Sequence, residues 1–386
     1  MTAKHNPSSL INSFQIKGLF KVSKGKKCEE ESHSQLRYIQ IEDLRHNNNL
    51  KYAAIDTKNV LCRKEDIIIA WDGANAGTIG YGLEGAIGST LAKLSPITNT
   101  VFSPYAGRFL QSKFNFLRDN CTGATIPHIS TPSLLGIKIP LPPLAEQQNI
   151  ASILDAADSL RQKDQQLIKK YTALSHSLFL EMFGDPETNP MGWEQLILED
   201  MVQFLTSGSR GWAQYYSDEG DLFLRIQNVG NNQLLLDNLT YVNPPNNAEA
   251  KRTTVKAGDI LLSITADLGR TAVIPANLPK AHINQHLAII RLKDIYEPYY
   301  VSEYISSVGG KRQLMKLDKS GVKAGLNFTD IKSLNILNPP IDLQRQYLER
   351  SRKVEAQKQI AQASLQKSEN LFNSLLQRAF KGELTA

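Results

Sequence analysis

The chain has 386 residues, enough for two or three domains that each bury a core. Hydrophobic residues make up 41% and charged residues 21%, an ordinary globular balance, and no apolar run approaches the roughly 20 residues that cross a bilayer. The net charge of +6 and pI near 9.0 lean mildly toward a polyanionic partner, and Cys28, Cys62 and Cys121, odd in number and far apart, argue against a disulfide framework or a Cys-x-x-Cys zinc site.

The distant cysteines fit a reducing compartment. The polar start MTAKHNPSSL has no apolar signal core, so a cytoplasmic protein with no membrane contact is expected. In chain order, four segments alternate: globular 1–143, a long helix 144–183, globular 184–340, and a second long helix with a short tail, 341–386. Each helix starts just after a Pro-Pro pair, Pro142-Pro143 and Pro339-Pro340, because proline is tolerated at a helix start and disfavours helix in the residue before it. Gly184-Asp185-Pro186 and Lys381-Gly382 supply the stops.

The two helical stretches are copies. Pro142 matches Pro339, Gln147 matches Gln344, Ile150 matches Tyr347, Leu178 matches Leu375 and Phe183 matches Phe380, at a constant offset of 197 residues. Apolar residues recur at 3–4 spacing, as in a coiled-coil seam. In the first helix Ile153, Leu160, Leu174 and Leu178 follow it, with Asp164 as the polar interruption. In the second, Val354, Leu365, Phe372 and Leu375 follow it, and Ser351, Lys358 and Ser368 interrupt. These eight are the expected helix–helix packing residues. At 1.5 Å per residue each helix is about 60 Å long, too long to lie on one small domain.

The globular segments repeat more faintly. Glu65-Asp66-Ile67-Ile68-Ile69 resembles Gly258-Asp259-Ile260-Leu261-Leu262, and Pro104-Tyr105 and Pro298-Tyr299 each open a stretch of helical spacing. Short β-branched runs between Gly, Asn and Asp read as strands and turns. The expected fold class is mixed α/β: two pseudo-symmetric globular domains joined by two long antiparallel coiled-coil helices. Buried-looking runs match between the copies while polar loops diverge, as in two readers of different targets.

The wording of these segments resembles the specificity subunit of type I restriction-modification systems. IPLPPLAEQQNIASIL is similar to that family's first helix start, LFLEMFGDPETNPMGW to its passage into a second target-recognition domain, AGDILLSITADLGRTAVI to a recognition-domain strand pair, and LLQRAFKGEL to its C-terminal signature. One departure is the start: residues 1–13 lack the Trp-containing opening seen at Gly192-Trp193-Glu194. The resemblance implies a non-catalytic subunit that binds double-stranded DNA. Each recognition domain reads one half of a split target, and the helices set the spacing. Two adenine methyltransferase subunits dock on the chain, restriction subunits join through them, and S-adenosylmethionine sits on the methyltransferases. The chain itself binds no cofactor. Alternatives are a stand-alone DNA-binding regulator without a methyltransferase partner, or a protein-interaction scaffold with no DNA contact.

No catalytic site is legible. A Gly-x-x-x-x-Gly-Lys-Ser/Thr phosphate loop is missing, and Asn243-Pro244-Pro245 and Asn338-Pro339-Pro340 lack the aromatic that follows Asn-Pro-Pro in adenine methyltransferases. His282 and His286 have helical metal spacing but lack a zinc hydrolase's glutamate, leaving a DNA-touching edge or plain structure; no metal is expected.

Basic loops suit phosphates: Lys24, Lys26 and Lys27 around Gly25, Ser209 and Arg210 in the second half, and Lys316, Lys319 and Lys323. Base reading needs bidentate polar side chains. The candidates are Gln40, Asp72, Asn75, Thr78, Ser89 and Thr90 in the first half. In the second they are Arg225, Gln227, Asn228, Asp267, Arg270, Gln285 and His286. For each, a turn-capping or sheet-edge role is the alternative.

Overall fold

A computed structural model of the chain describes residues 12–46, 48–123, 125–317 and 325–384. It divides into two compact units, Met1–Gln166 with Ala361–Ala386, and Leu167–Ile360. Each unit holds one globular segment and half of each long helix.

In the first unit, strands Phe20–Lys24, Leu91–Pro96, Ile67–Ala70 and Ile79–Tyr81 form an antiparallel sheet in that order. Ile67, Ile68 and Ile69 are wholly buried, so this strand has core on both faces and reads as a continuous apolar run rather than an alternation. A second sheet runs Lys51–Tyr52, Arg37–Ile39, Gly85–Ile87 and Leu61–Cys62, with a parallel pairing of Arg37–Ile39 and Gly85–Ile87. The second unit repeats both. Val202–Ser207, Leu287–Leu292, Ile260–Ser263 and Thr271–Val273 form the antiparallel sheet. Tyr216–Ser217, Tyr241–Val242, Asp221–Leu224 and Ala281–Ile283 form the mixed one, again with one parallel pair. The edges differ: the strand Leu61–Cys62 shrinks to a single bridge, Thr254 to His282, in the second unit.

The Asp that precedes the matching strand in each unit is a turn clamp. Asp66 accepts from the Arg63 amide at 2.9 Å and pairs with Lys93 at 3.3 Å. Asp259, fully buried, accepts from the Lys256 amide and takes a bidentate Arg291 at 2.7 Å on both oxygens. Charge-assisted paired bonds of this kind are the strong ones.

The long helices run Leu144–Phe183 and Ile341–Lys381. Gln147 fixes the first start by donating to the Pro142 and Thr100 carbonyls and accepting from the Phe102 amide. Gln344 does the same work in the second, donating to Pro339 and accepting from Glu297. Gly184 ends the first helix with φ +79°, a left-handed cap that glycine adopts without a Cβ penalty.

In the first unit Ile150 and Leu154, near the start of the first long helix, share a core with Leu375, Ala379 and Phe380 at the end of the second. In the second unit Phe179 and Phe183, at the end of the first helix, pack on Tyr347 at the start of the second, with ring centroids 5.7 and 5.3 Å apart. The helices therefore run antiparallel, and the fold is the mixed α/β architecture with two pseudo-symmetric globular domains.

The seam differs from the expected one. Phe372 is buried, and Ile153, Leu178, Val354, Leu365 and Leu375 are half-buried, but Leu160 and Leu174 are 46% and 48% exposed. The buried row of the first helix instead passes through Leu154, Ala157, Asp158 and Asp164. The polar interruptions meet each other: Ser368 and Ser364 donate to the two Asp164 oxygens at 2.8 and 3.1 Å. A buried polar residue with a partner can occupy a seam, so apolar spacing alone passes over Asp158 and takes in the outward Leu160 and Leu174.

Candidate nucleic-acid interface

In each unit the loops at one end of the antiparallel sheet gather polar side chains. A close backbone approach fixes their arrangement. A Cβ on Gly25 would lie 2.3 Å from the Gly88 carbonyl oxygen, and one on Gly208 equally close to Asn284. Gly25 and Gly208 thus occupy equivalent places, and only glycine fits.

In the first unit Lys24 ends its strand beside this glycine and pairs with Asp72 at 2.8 Å. Asp72 follows the strand Ile67–Ala70, and its other oxygen lies 2.6 Å from His128 Nδ1. His128 is brought there by a backbone bridge to Asp72 and by the Gly73 amide donating to Pro127. Burial pushes the Asp72 carboxyl up, and Lys24 and His128 outweigh it, holding it below the usual carboxylate range. Arg45 donates to Asn75 at 2.9 Å and Thr78 at 3.3 Å along the next turn. Ser89, Thr90, Lys26 and Lys27 are exposed around the cluster. Gln40 donates weakly to Glu30 at 3.5 Å and lines an open hollow with Lys27 and Tyr38.

In the second unit Thr265 bridges Gly325 as Asp72 bridges His128. The counterparts include no carboxylate: Thr265 shares a 2.6 Å hydrogen bond with His286, which shares another at 3.0 Å with Gln285. The cations come from elsewhere. Arg252 reaches Thr206, the Ser207 carbonyl and Ser209, and Arg270 pairs with Asp267 in the adjoining turn. Arg210 and Gln227 are exposed. Arg225 holds the Asn238 carbonyl at 3.3 Å.

One candidate reader drops out, and for His282 the structural alternative holds. Asn228 is 0% exposed: it accepts from the Arg225 amide and donates to the Leu235 carbonyl, so it holds the loop and offers nothing to a base. His282 is 1% exposed and bonded to Asp221 at 3.0 Å, which makes it a core histidine. Among the described residues no group of His, Cys, Asp and Glu has metal-binding geometry. Lys316 is exposed near the end of its helix, while Lys319 and Lys323 lie outside the described residues. Sequence reasoning missed His128, Arg45 and Arg252. Nothing in the local pattern ties His128 to a partner 56 residues away.

All three cysteines are free, and among the described residues no helix is long and apolar enough to cross a membrane. The type I restriction modification DNA specificity domain matches twice, over residues 9–170 and 190–369. The chain is 28% identical over 321 residues to the MjaVIII specificity subunit of Methanocaldococcus jannaschii, covering 79% of this chain and 72% of that one. It is 24% identical to the EcoBI specificity subunit of Escherichia coli, covering 90% and 80%. Among solved structures, the S subunit of a type I restriction-modification system from M. genitalium superposes with a TM-score of 0.63 at 18% identity, covering 98% of this chain and 99% of that one. A chain from a study of type I complex assembly gives 0.53 at 19% identity, over 97% and 98%. With two matched domains spanning most of its length, the chain belongs to the type I restriction-modification DNA specificity family and is a specificity subunit.

Proposed function

We propose that the two domains read the two halves of a split duplex target, and that the long helices set the distance between the halves. One observation carries this reading: equivalent loops at the same end of a repeated sheet bear different chemistry, Lys24–Asp72–His128 in one unit and Thr265–His286–Gln285 in the other. Groups of that kind discriminate base edges in the major groove. Lys26, Lys27 and Lys316 are exposed and suit phosphates, which position without specifying.

The chain supplies recognition and its partners supply chemistry. Two adenine methyltransferase subunits dock on it, carry S-adenosylmethionine, and bridge to restriction subunits, in the reducing cytoplasm that free thiols suit. Exposed Leu167 and Leu174, seven residues apart on the first helix, offer such subunits an apolar foothold. The test is to express the chain with its methyltransferase and map methylated adenines. A two-part motif with a fixed gap is the expected result. A single contiguous motif, or binding to DNA without co-purification of a methyltransferase, overturns the reading.

A further inference from the structure

Each domain is seated on the helix pair beneath it by a polar network, and the domain residue that enters the network is a base in one unit and an acid in the other. The correspondence is fixed by two tyrosines. Tyr105 donates to the Pro140 carbonyl and Tyr300 to the Leu337 carbonyl, both at 2.8 Å and each at the end of a short strand, Lys138–Pro140 in the first unit and Asn335–Leu337 in the second. Three residues further along the domain helices Ser103–Ser112 and Pro298–Ser306, which carry these tyrosines, stand Arg108 and Glu303. The paired Gln147 and Gln344 align the long helices, which sets Asp155 against Arg352, Asp158 against Glu355 and Arg161 against Lys358: the sign inverts at the first of these and is kept at the other two.

In the first unit Arg108, 6% exposed, donates to Asp155 at 2.9 Å and to Asp158 at 3.0 Å. Tyr81 of the domain donates to the same Asp155 oxygen at 2.6 Å. Arg161 closes the far side of Asp158, and Phe372 of the second helix lies under both guanidinium groups, 5.5 and 5.0 Å from its ring centre. The cation belongs to the domain and the acids to the helix. In the second unit the domain brings the acid. Glu303 accepts from Asn232 at 2.6 Å and faces Lys358, His176 and Tyr347 of the helices. A domain carrying Glu303 on the first seat would meet Asp155 and Asp158. Like charges buried together disfavour that arrangement strongly.

We propose that Arg108 and Glu303 are positioning residues: a base entering the helix pair in one unit and an acid in the other fix the angle of each recognition domain on its helix ends, and so fix the gap between the half-sites. The fan of directed bonds around Arg108 specifies an orientation, which apolar contact alone does not. The inference rests on the two-reader function proposed above. One base pair of gap changes both distance and rotation along the duplex, so a loosened domain tolerates gaps that a fixed one rejects.

The test uses the full chain purified with its methyltransferase subunits, acting on a plasmid library with a randomised insert. Methylated adenines are sequenced for both half-site letters and gap length. The wild type yields one dominant gap. Arg108→Glu raises the share of sites with one base pair more or fewer at least tenfold, with the letters unchanged, and Arg108→Glu with Asp155→Arg and Asp158→Asn, which gives the new acid a cation and removes the remaining like charge, restores the single gap. Asp155→Asn, at a half-exposed carboxylate, broadens the gap less and decides the matter if Arg108→Glu does not assemble. Glu303→Gln broadens it from the second seat. Uniform loss of methylation at an unchanged gap, altered letters, or no restoration by the combined variant overturns the proposal. A wild type without any two-part site sinks the underlying functional reading instead.

Discussion

The two units share a framework and differ where they touch something. The fully buried strands Ile67–Ala70 and Ile260–Ser263, the helix-starting Gln147 and Gln344, and the close-packed Gly25 and Gly208 are interchangeable in role. The sheet-end loops and the seats on the helices are not. Packing solved once serves twice, because a core asks only for volume and apolarity. Recognition and orientation ask for particular charges at particular places, and there the copies diverge.

The sharpest break of the symmetry is a truncation. The first unit draws its last wall from Ala361–Ala386, although these residues follow the second domain. Phe380 packs on Tyr105 and Phe109 at 5.5 and 5.0 Å, as Phe183 packs on Tyr300 at 4.6 Å. Deleting residues 361–386 is expected to strip amide-exchange protection from the first unit and leave the second, whose residues are contiguous, largely protected. Equal loss in both units would show that the division is wrong.

A smaller effect separates the real seam from the apparent one. Phe183→Ala removes a buried ring and is expected to cost about 3–5 kcal/mol in urea unfolding. Leu174→Ala, on an exposed position, is expected to cost less than about 1 kcal/mol while weakening methyltransferase docking. A large stability loss at Leu174 would restore the seam expected from apolar spacing.

The contrast between these two positions shows what was legible in the sequence. Helix bounds were, because Pro-Pro pairs and Gly184 act locally on the backbone. Duplication was, because the offset never slips. Most of the seam was legible too, with Asp164 and Ser368 as its polar interruptions, but Leu160 and Leu174 were drawn into it while Asp158 was passed over, because Asp158 is satisfied by Arg108, 50 residues away, and no local pattern shows that. Asn228 looked like a reader for the same reason: a loop amide and a base-reading amide are the same group until its partners are seen. His128 was invisible, since only the bridge to Asp72 gives it a place.

Readers that act separately must be separable in effect. Asp72→Ala is expected to change preference in one half of the target, by about 1–3 kcal/mol per lost base contact. Arg270→Ala is expected to change only the other half. Lys26→Ala with Lys27→Ala should leave the letters alone and flatten the dependence of affinity on salt by roughly one unit of slope per lost phosphate contact. Singly substituted duplexes bound by the assembled methyltransferase provide the measurement. A shift of both halves by one loop variant would mean that the domains do not read independently.

The smallest expected difference is one of sign, in the response to pH. Burial pushes the Glu303 carboxyl above its ordinary value of 4.5, and Asn232, His176, Lys358 and Tyr347 only partly offset it. Across the window from that ordinary value up to the raised one, the folded state keeps a proton that the unfolded chain releases. Its contribution to stability is therefore complete below the window and lost as pH rises through it. Asp72 in the first unit is depressed below its ordinary 3.8 by Lys24 and His128 against the opposing push of burial. Its contribution is present above that value and lost as pH falls. Glu303→Gln cannot titrate, so the stability of this variant relative to wild type should climb with pH across the window and then level off. For Asp72→Asn the difference should run the other way, with the wild-type advantage fading as the solution is made acidic. Urea unfolding of each variant against wild type between pH 3 and 8 reads both differences. If the Glu303→Gln difference stayed flat, the carboxyl would be no more buried than its counterparts on the surface, and the second seat would lose the asymmetry that sets it apart from the first.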